Sequence, residues 1–300
     1  MKRTFKGACL MGIAWASMFA TAQAGEVDWA ALNPAFAKAG YVKDKEACVA
    51  CHADSIEAYK KTVHGRTFQH GPKGPLQARD CEACHGPRSQ HVAAPDASLK
   101  FSTEQYSTVC LQCHQDGGRM YWQSSQHKTG DVGCVSCHTL MKKKSDKGLL
   151  AKDKEPAVCY SCHTTVKGQM NKQSHHPVKE GKMACSDCHN VHGSAGKSLL
   201  KGATINETCF KCHQEKRGPF IWEHAVVREN CANCHDVHGS NNPDLLNAKG
   251  SFLCLQCHAY GGHPNLPRYN RVSNPTGQGC VNCHITHHGS NHPSGAKFTR

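Results

Sequence analysis

The chemistry in this 300-residue chain sits in one five-residue pattern that occurs ten times. Cys48, Cys51 and His52 form the first Cys-x-x-Cys-His run; Cys81, Cys84 and His85, Cys110, Cys113 and His114, Cys134, Cys137 and His138, and Cys159, Cys162 and His163 follow. The later five are Cys185, Cys188 and His189, Cys209, Cys212 and His213, Cys231, Cys234 and His235, Cys254, Cys257 and His258, and Cys280, Cys283 and His284. Residues i, i+3 and i+4 share one face of a helical turn. Two thiols so placed bond the two vinyl-derived edges of one porphyrin while the adjacent imidazole reaches the iron from beneath. A single copy reads as a zinc knuckle or a redox dithiol just as well. Ten copies, each closed by histidine, do not, because zinc ribbons need no histidine there and thioredoxin-like dithiols do not come in arrays. The pattern predicts ten covalently attached c-type haems.

A haem so attached leaves one axial position open, and thirteen histidines remain outside the motifs for ten positions. His64, His127, His175 and His224 stand eleven to thirteen residues after a motif histidine, and His263 stands five after His258. His91, His192, His238 and His287 follow a second motif closely. His238 is three residues from His235, on the same helical face, and cannot cross the porphyrin plane to bind the far side of its own haem. It must serve a neighbour, which would draw adjacent porphyrins together. His176, His288 and His292 are surplus on this reading. One tail departs: in "CVSCHTLMKKK" Met141 occupies the offset that His192 and His238 hold elsewhere. We expect one haem to take either Met141 or a borrowed His70 as its sixth ligand. A methionine ligand raises the potential relative to bis-histidine neighbours. A native protein lacking the near-infrared sulfur-to-iron band in magnetic circular dichroism has no methionine ligand.

The elements that carry these residues must be short. The second motifs of successive pairs begin at 81, 134, 185, 231 and 280, so five units of about fifty residues, two haems each, span residues 25–300. Between motifs Gly, Pro, Lys, Asn and Ser dominate, with little helical or strand periodicity. Asn206 and Ser107 read as N-caps of motif helices, and Gly193 and Gly239 as their C-terminal glycines. The chain holds only 20 Phe, Tyr and Trp. It cannot build an ordinary hydrophobic core, so the porphyrins must serve as one. The expected fold is a multihaem cytochrome c: short α-helices and long loops around a linear haem chain, with almost no β-sheet.

Residues 1–24 read as a secretory signal peptide, with Lys2, Arg3 and Lys6 before a short apolar run and Ala22 and Ala24 before a cut near Gly25. Cys9 belongs to that leader. The apolar run is too short to span a bilayer, and no later stretch comes close. The formal charge of +13 becomes +10 without the three leader cations. A basic chain suggests nucleic acid, but ten haems would bring about twenty propionates, which the excess Lys and Arg would neutralise. The stretch 141–156 reads as a charged, solvated linker. No phosphate loop or nucleophile elbow is present.

Ten motifs in this length, "CEACHGPRSQH" near the start and the "CHxVHG" tails resemble the periplasmic decahaem cytochromes of the MtrA, DmsE and PioA type, across the whole mature chain. That resemblance implies two similar pentahaem halves, here 25–165 and 166–300, lodged in or docked to an outer-membrane β-barrel porin. It implies electron transfer rather than catalysis, between periplasmic carriers and an outer-surface cytochrome, reductase or mineral. Met141 departs from the repeated pattern and puts uniform bis-histidine ligation in doubt. Two other readings compete: a soluble periplasmic carrier feeding a reductase, and an enzyme with an open iron.

Overall fold

A computed structural model describes residues 27–95, 100–258, 268–269, 272–273 and 279–299. The leader, its cut and His263 lie outside the described residues. Short helices and loops make up nearly all of the chain, as the scarcity of apolar periodicity predicts. Among the described residues, sheet is confined to the antiparallel pair Arg268–Tyr269 and Val272–Ser273 and to isolated bridges.

The longest helix among the described residues, Glu46–Lys60, carries the first motif on its opening turns and bends at His52, whose backbone leaves the helical region. Later motifs occupy single turns such as Cys134–Cys137 and Cys185–Cys188. Helix Thr103–Leu111 is capped by Ser102, whose hydroxyl accepts from the Gln105 backbone while Gln105 returns a bond. Ser107, expected as the cap, lies inside that helix. Its Oγ instead accepts the backbone N–H of Cys134 at 3.2 Å. Asn206 behaves alike. Thr204 caps helix Ile205–Cys209, while Asn206 is buried and its Oδ1 accepts the Cys231 N–H at 2.8 Å. Both side chains therefore cap the next motif rather than their own, and fasten the two motifs of a unit together.

Gly193 and Gly239 are not helix C-caps either, since helix Cys185–Cys188 already ends at an extended His189. They sit at φ +116° and +151°, where a Cβ would run into the carbonyls of Tyr121 and Gln169 of the preceding unit. The glycines are required by close backbone approach. Two-bond bridges fasten the Gly239 tail and the matching tail at Gly289, Ser174 to Ser240 and Trp222 to Ser290.

Ordinary apolar packing is concentrated at the N-terminal end. Trp29, Phe36, Phe101 and Val109 form a buried cluster, with ring centroids 5.6–6.1 Å apart among the three aromatics. The Arg88 guanidinium lies over Phe36 and Phe101. Elsewhere the buried apolar side chains are scattered, among them Ile56, Tyr59, Trp122, Val158 and Met170.

Candidate haem centres

One continuous cavity of about 5370 Å³ runs through the protein, and all twenty motif cysteines and all ten motif histidines line it. An ordinary small-molecule pocket holds about 300–1,000 Å³. The cysteines form a ladder in strict sequence order. Within each unit the first cysteines meet: Cys48 with Cys81, Cys110 with Cys134, Cys159 with Cys185, Cys209 with Cys231, and Cys254 with Cys280. Between units the second cysteines are electrostatic neighbours: Cys84 with Cys113, Cys137 with Cys162, Cys188 with Cys212, and Cys234 with Cys257. Each interior motif thus reaches its predecessor through one cysteine and its successor through the other.

Zinc does not fit this arrangement. Among the described residues no three His, Cys, Asp or Glu side chains converge on a metal position. At the second motif, burial pushes the Cys81 and Cys84 thiols up to about 11.

Histidine pairs do fit haem. Two imidazoles bonded to one metal at about 2 Å have ring centres roughly 6 Å apart. Eight pairs show that separation. First motifs face mid-unit histidines of the preceding unit: His114 with His64 at 5.8 Å, His163 with His127 at 6.1 Å, His213 with His176 at 6.4 Å, and His258 with His224 at 6.0 Å. Second motifs face tail histidines of the following unit: His138 with His192 at 6.0 Å, His189 with His238 at 6.2 Å, and His235 with His288 at 6.2 Å. In the first unit His52 faces its own tail, His91, at 6.3 Å. Ring planes follow the source of the second ring. Tail pairs lie within 13–20° of parallel, while the pairs of His64, His127 and His176 cross at 61–69°.

Two positions differ from expectation. His176, not His175, faces His213. His175 turns to Glu180 at 3.1 Å, which together with the Lys172 carbonyl raises its pKa and favours the cation. Likewise His288, not His287, faces His235. The final tail has one extra residue, and counting back from "HGS" rather than forward from the motif would have chosen His288. Burial and the neighbouring His287 hold His288 down at about 4, and burial lowers His64, His192 and His238 as well. Neutral rings keep a lone pair for a metal.

Hydrogen bonds decide which nitrogen that is. Nδ1 of His127, His176 and His224 meets the carbonyls of Val191, Val237 and His287 at 2.8–2.9 Å. Nδ1 of His138, His189 and His235 meets those of Gly148, Ser198 and Asp244 at 2.7–2.9 Å, and His284 meets Lys297. A carbonyl only accepts, so Nδ1 carries the proton and Nε2 is left to bind. The sequence reading overlooked the loops supplying the second set. Their signal is a recurring pair: "GLLA", "SLLK" and "DLLN", with Leu149, Ser198, Leu199, Asp244 and Leu245 at positive φ. The first of these loops lies in the expected linker 141–156, where the buried Ser145 holds Lys147 O and Leu150 N.

His85 stands apart. Burial, Arg88 and His52 lower it to about 4, and among the described residues no second histidine ring faces it. The tail that would supply that ring is the one where Met141 stands; Met141 lines the cavity. His70 ends helix Val63–His70, exposed and away from the cavity lining. His292 also lies outside the lining.

A doubled CXXCH motif family matches residues 74–119, 127–168, 175–218 and 224–263, each match joining the second motif of one unit to the first of the next. Multiheme cytochrome MtrA of Shewanella baltica (strain OS185) is 42% identical over 311 aligned positions, covering 97% of this chain and 92% of its own length. The high-molecular-weight cytochrome c of Nitratidesulfovibrio vulgaris is 26% identical over 164 positions, which is 50% of this chain and 27% of that protein.

Proposed function

Because the chain belongs to the MtrA family of multihaem c-type cytochromes, binds haem c and transfers electrons, we propose that it carries them across the outer membrane. In this reading a β-barrel porin sheathes it, and it links periplasmic carriers to an extracellular cytochrome, reductase or mineral. The cysteine ladder carries the proposal: motifs that neighbour one another in sequence order along one cavity suit a conducting line better than a cluster. Bound haem supplies reversible one-electron exchange at iron.

The chain's own residues would do the rest. Cysteine pairs would fix each macrocycle, and at the eight paired sites the facing imidazoles would hold the iron from both sides and exclude substrate. On that basis we read the protein as an electron carrier and not an enzyme, with 25–165 and 166–300 as two five-haem halves of one run. His138 of the first half faces His192 of the second, so the line continues across that boundary. Among the described residues no helix is long and apolar enough to cross a membrane. A barrel partner would supply the lipid-facing surface.

Detergent extraction of outer membranes from the native host tests this. We expect the cytochrome to purify with a barrel protein at fixed stoichiometry and to carry ten covalent haems. Recovery wholly in the periplasmic fraction without a barrel would instead establish the soluble carrier.

A further inference from the structure

The irregular tail at Met141 affects a second place besides His85. His127, His176 and His224 each donate from Nδ1 to the carbonyl of the residue just before the tail histidine of the next unit: Val191, Val237 and His287. The matching residue for His64 is Leu140, in the tail that reads "HTLMKKK" and lacks both the histidine and the glycine. That tail does not supply the bond. Nδ1 of His64 is buried beyond the reach of water and, among the described residues, has no hydrogen-bond partner.

The consequence is electronic. A hydrogen bond from Nδ1 to a carbonyl makes an imidazole a stronger donor and favours ferric iron. An imidazole without it donates less and favours ferrous iron. Two downstream sites provide the comparison, because they repeat the source of the second ring and the ring crossing: His163 with His127 at 67° and His213 with His176 at 61°, against 69° here. One nearby charge acts in the same direction: Arg119 donates to the His114 carbonyl at 3.2 Å and places a positive charge beside that ring. At His213 the Glu215 carboxylate lies 3.8 Å from Nδ1 but is also paired with Lys216 at 3.9 Å.

We propose that the haem site of His114 and His64 has a higher reduction potential than the two downstream sites that repeat its geometry, those of His163 with His127 and His213 with His176. This rests on reading the facing rings as axial pairs. The first electrons to enter this class of site would then settle near the N-terminal end.

Electron paramagnetic resonance during stepwise reduction of the holoprotein with a soluble mediator tests the order. Strongly crossed imidazole planes leave iron d orbitals nearly degenerate and give a large low-field g value, whereas near-parallel planes give the ordinary rhombic spectrum. The crossed sites can therefore be followed separately. We expect their signal to vanish in two steps, the smaller first. Where the downstream sites are half reduced, this site should hold about tenfold more ferrous than ferric iron, a one-electron separation of about 59 mV. His64→Ala should delete the early step and His127→Ala part of the late one. A single step in the native protein, or His127→Ala deleting the early step, overturns the proposal. The native protein and His127→Ala decide the matter even where His64→Ala does not mature. Unchanged low-spin signal in His127→Ala would instead overturn the axial pairing, and the proposal with it.

Discussion

An imidazole binds iron through one nitrogen, so the partner of the other nitrogen settles both its tautomer and its strength as a ligand. Seven sites in this chain, from His138 onward, have one ring tied by Nδ1 to a carbonyl, on the motif side in second motifs and on the facing side in first motifs. The facing ring comes from another unit at every one of the seven cross-unit pairs. His238→Ala should therefore expose the iron held by His189, not that held by His235. Carbon monoxide binding to the reduced variant should rise by one site. Removing Cys185 and Cys188 as well should abolish that extra site, whereas removing Cys231 and Cys234 should leave it. The opposite pattern would mean that tail histidines serve their own unit. Histidine type and spacing revealed the facing set in outline. The choice between His175 and His176 was not legible, because it depends on Glu180 capturing one of two adjacent rings.

At the scale of elements, the helical turns carry little more than the motifs, and the loops do the positioning. Each "HGS" tail lies against the mid-unit segment of the preceding unit through a glycine at positive φ, and the last two add a two-bond bridge at Ser240 and Ser290. This contact places two ligands at once: the tail histidine reaches one ring, and the residue before it receives Nδ1 of another. Gly239→Ala should cost about 1–2 kcal/mol from the left-handed backbone alone, and more from the collision with the Gln169 carbonyl. Thermal unfolding of the holoprotein should report this as a lowered midpoint. Low-spin haem should be lost at His189, which His238 faces, and at His213, whose partner His176 is tied to the Val237 carbonyl. A variant with unchanged midpoint and spectrum would show that the tail does not need this close approach. The glycines were visible in the sequence as helix ends; that they are contact points between units was not, since the contact joins segments about seventy residues apart.

For the whole molecule, a large internal cavity and one small aromatic cluster replace the usual core. The cluster of Trp29, Phe36, Phe101 and Val109 holds the N-terminal end, and the remainder closes around cofactor. Chain ordering costs about 1–2 kcal/mol per residue for the backbone, and the few buried apolar side chains cannot offset that over 300 residues. Protein made without haem attachment should thus be largely unstructured, with weak helical circular dichroism and rapid proteolysis, the N-terminal cluster included. Native-like helix content in the haem-free chain would mean that the polypeptide organises the cavity by itself.

The sequence alone determined the cofactor, its number of attachment points, the five-unit period and the scarcity of regular structure. All of these follow from covalent chemistry and composition, which act locally along the chain. It also marked Met141 as the break in the pattern. Tertiary structure decided which unit gives its histidine to which, why His288 and His176 face their partners, and which carbonyls orient the rings. These choices depend on backbone segments from different units coming within hydrogen-bonding distance. A repeat read one unit at a time contains no record of which neighbour it will lie against.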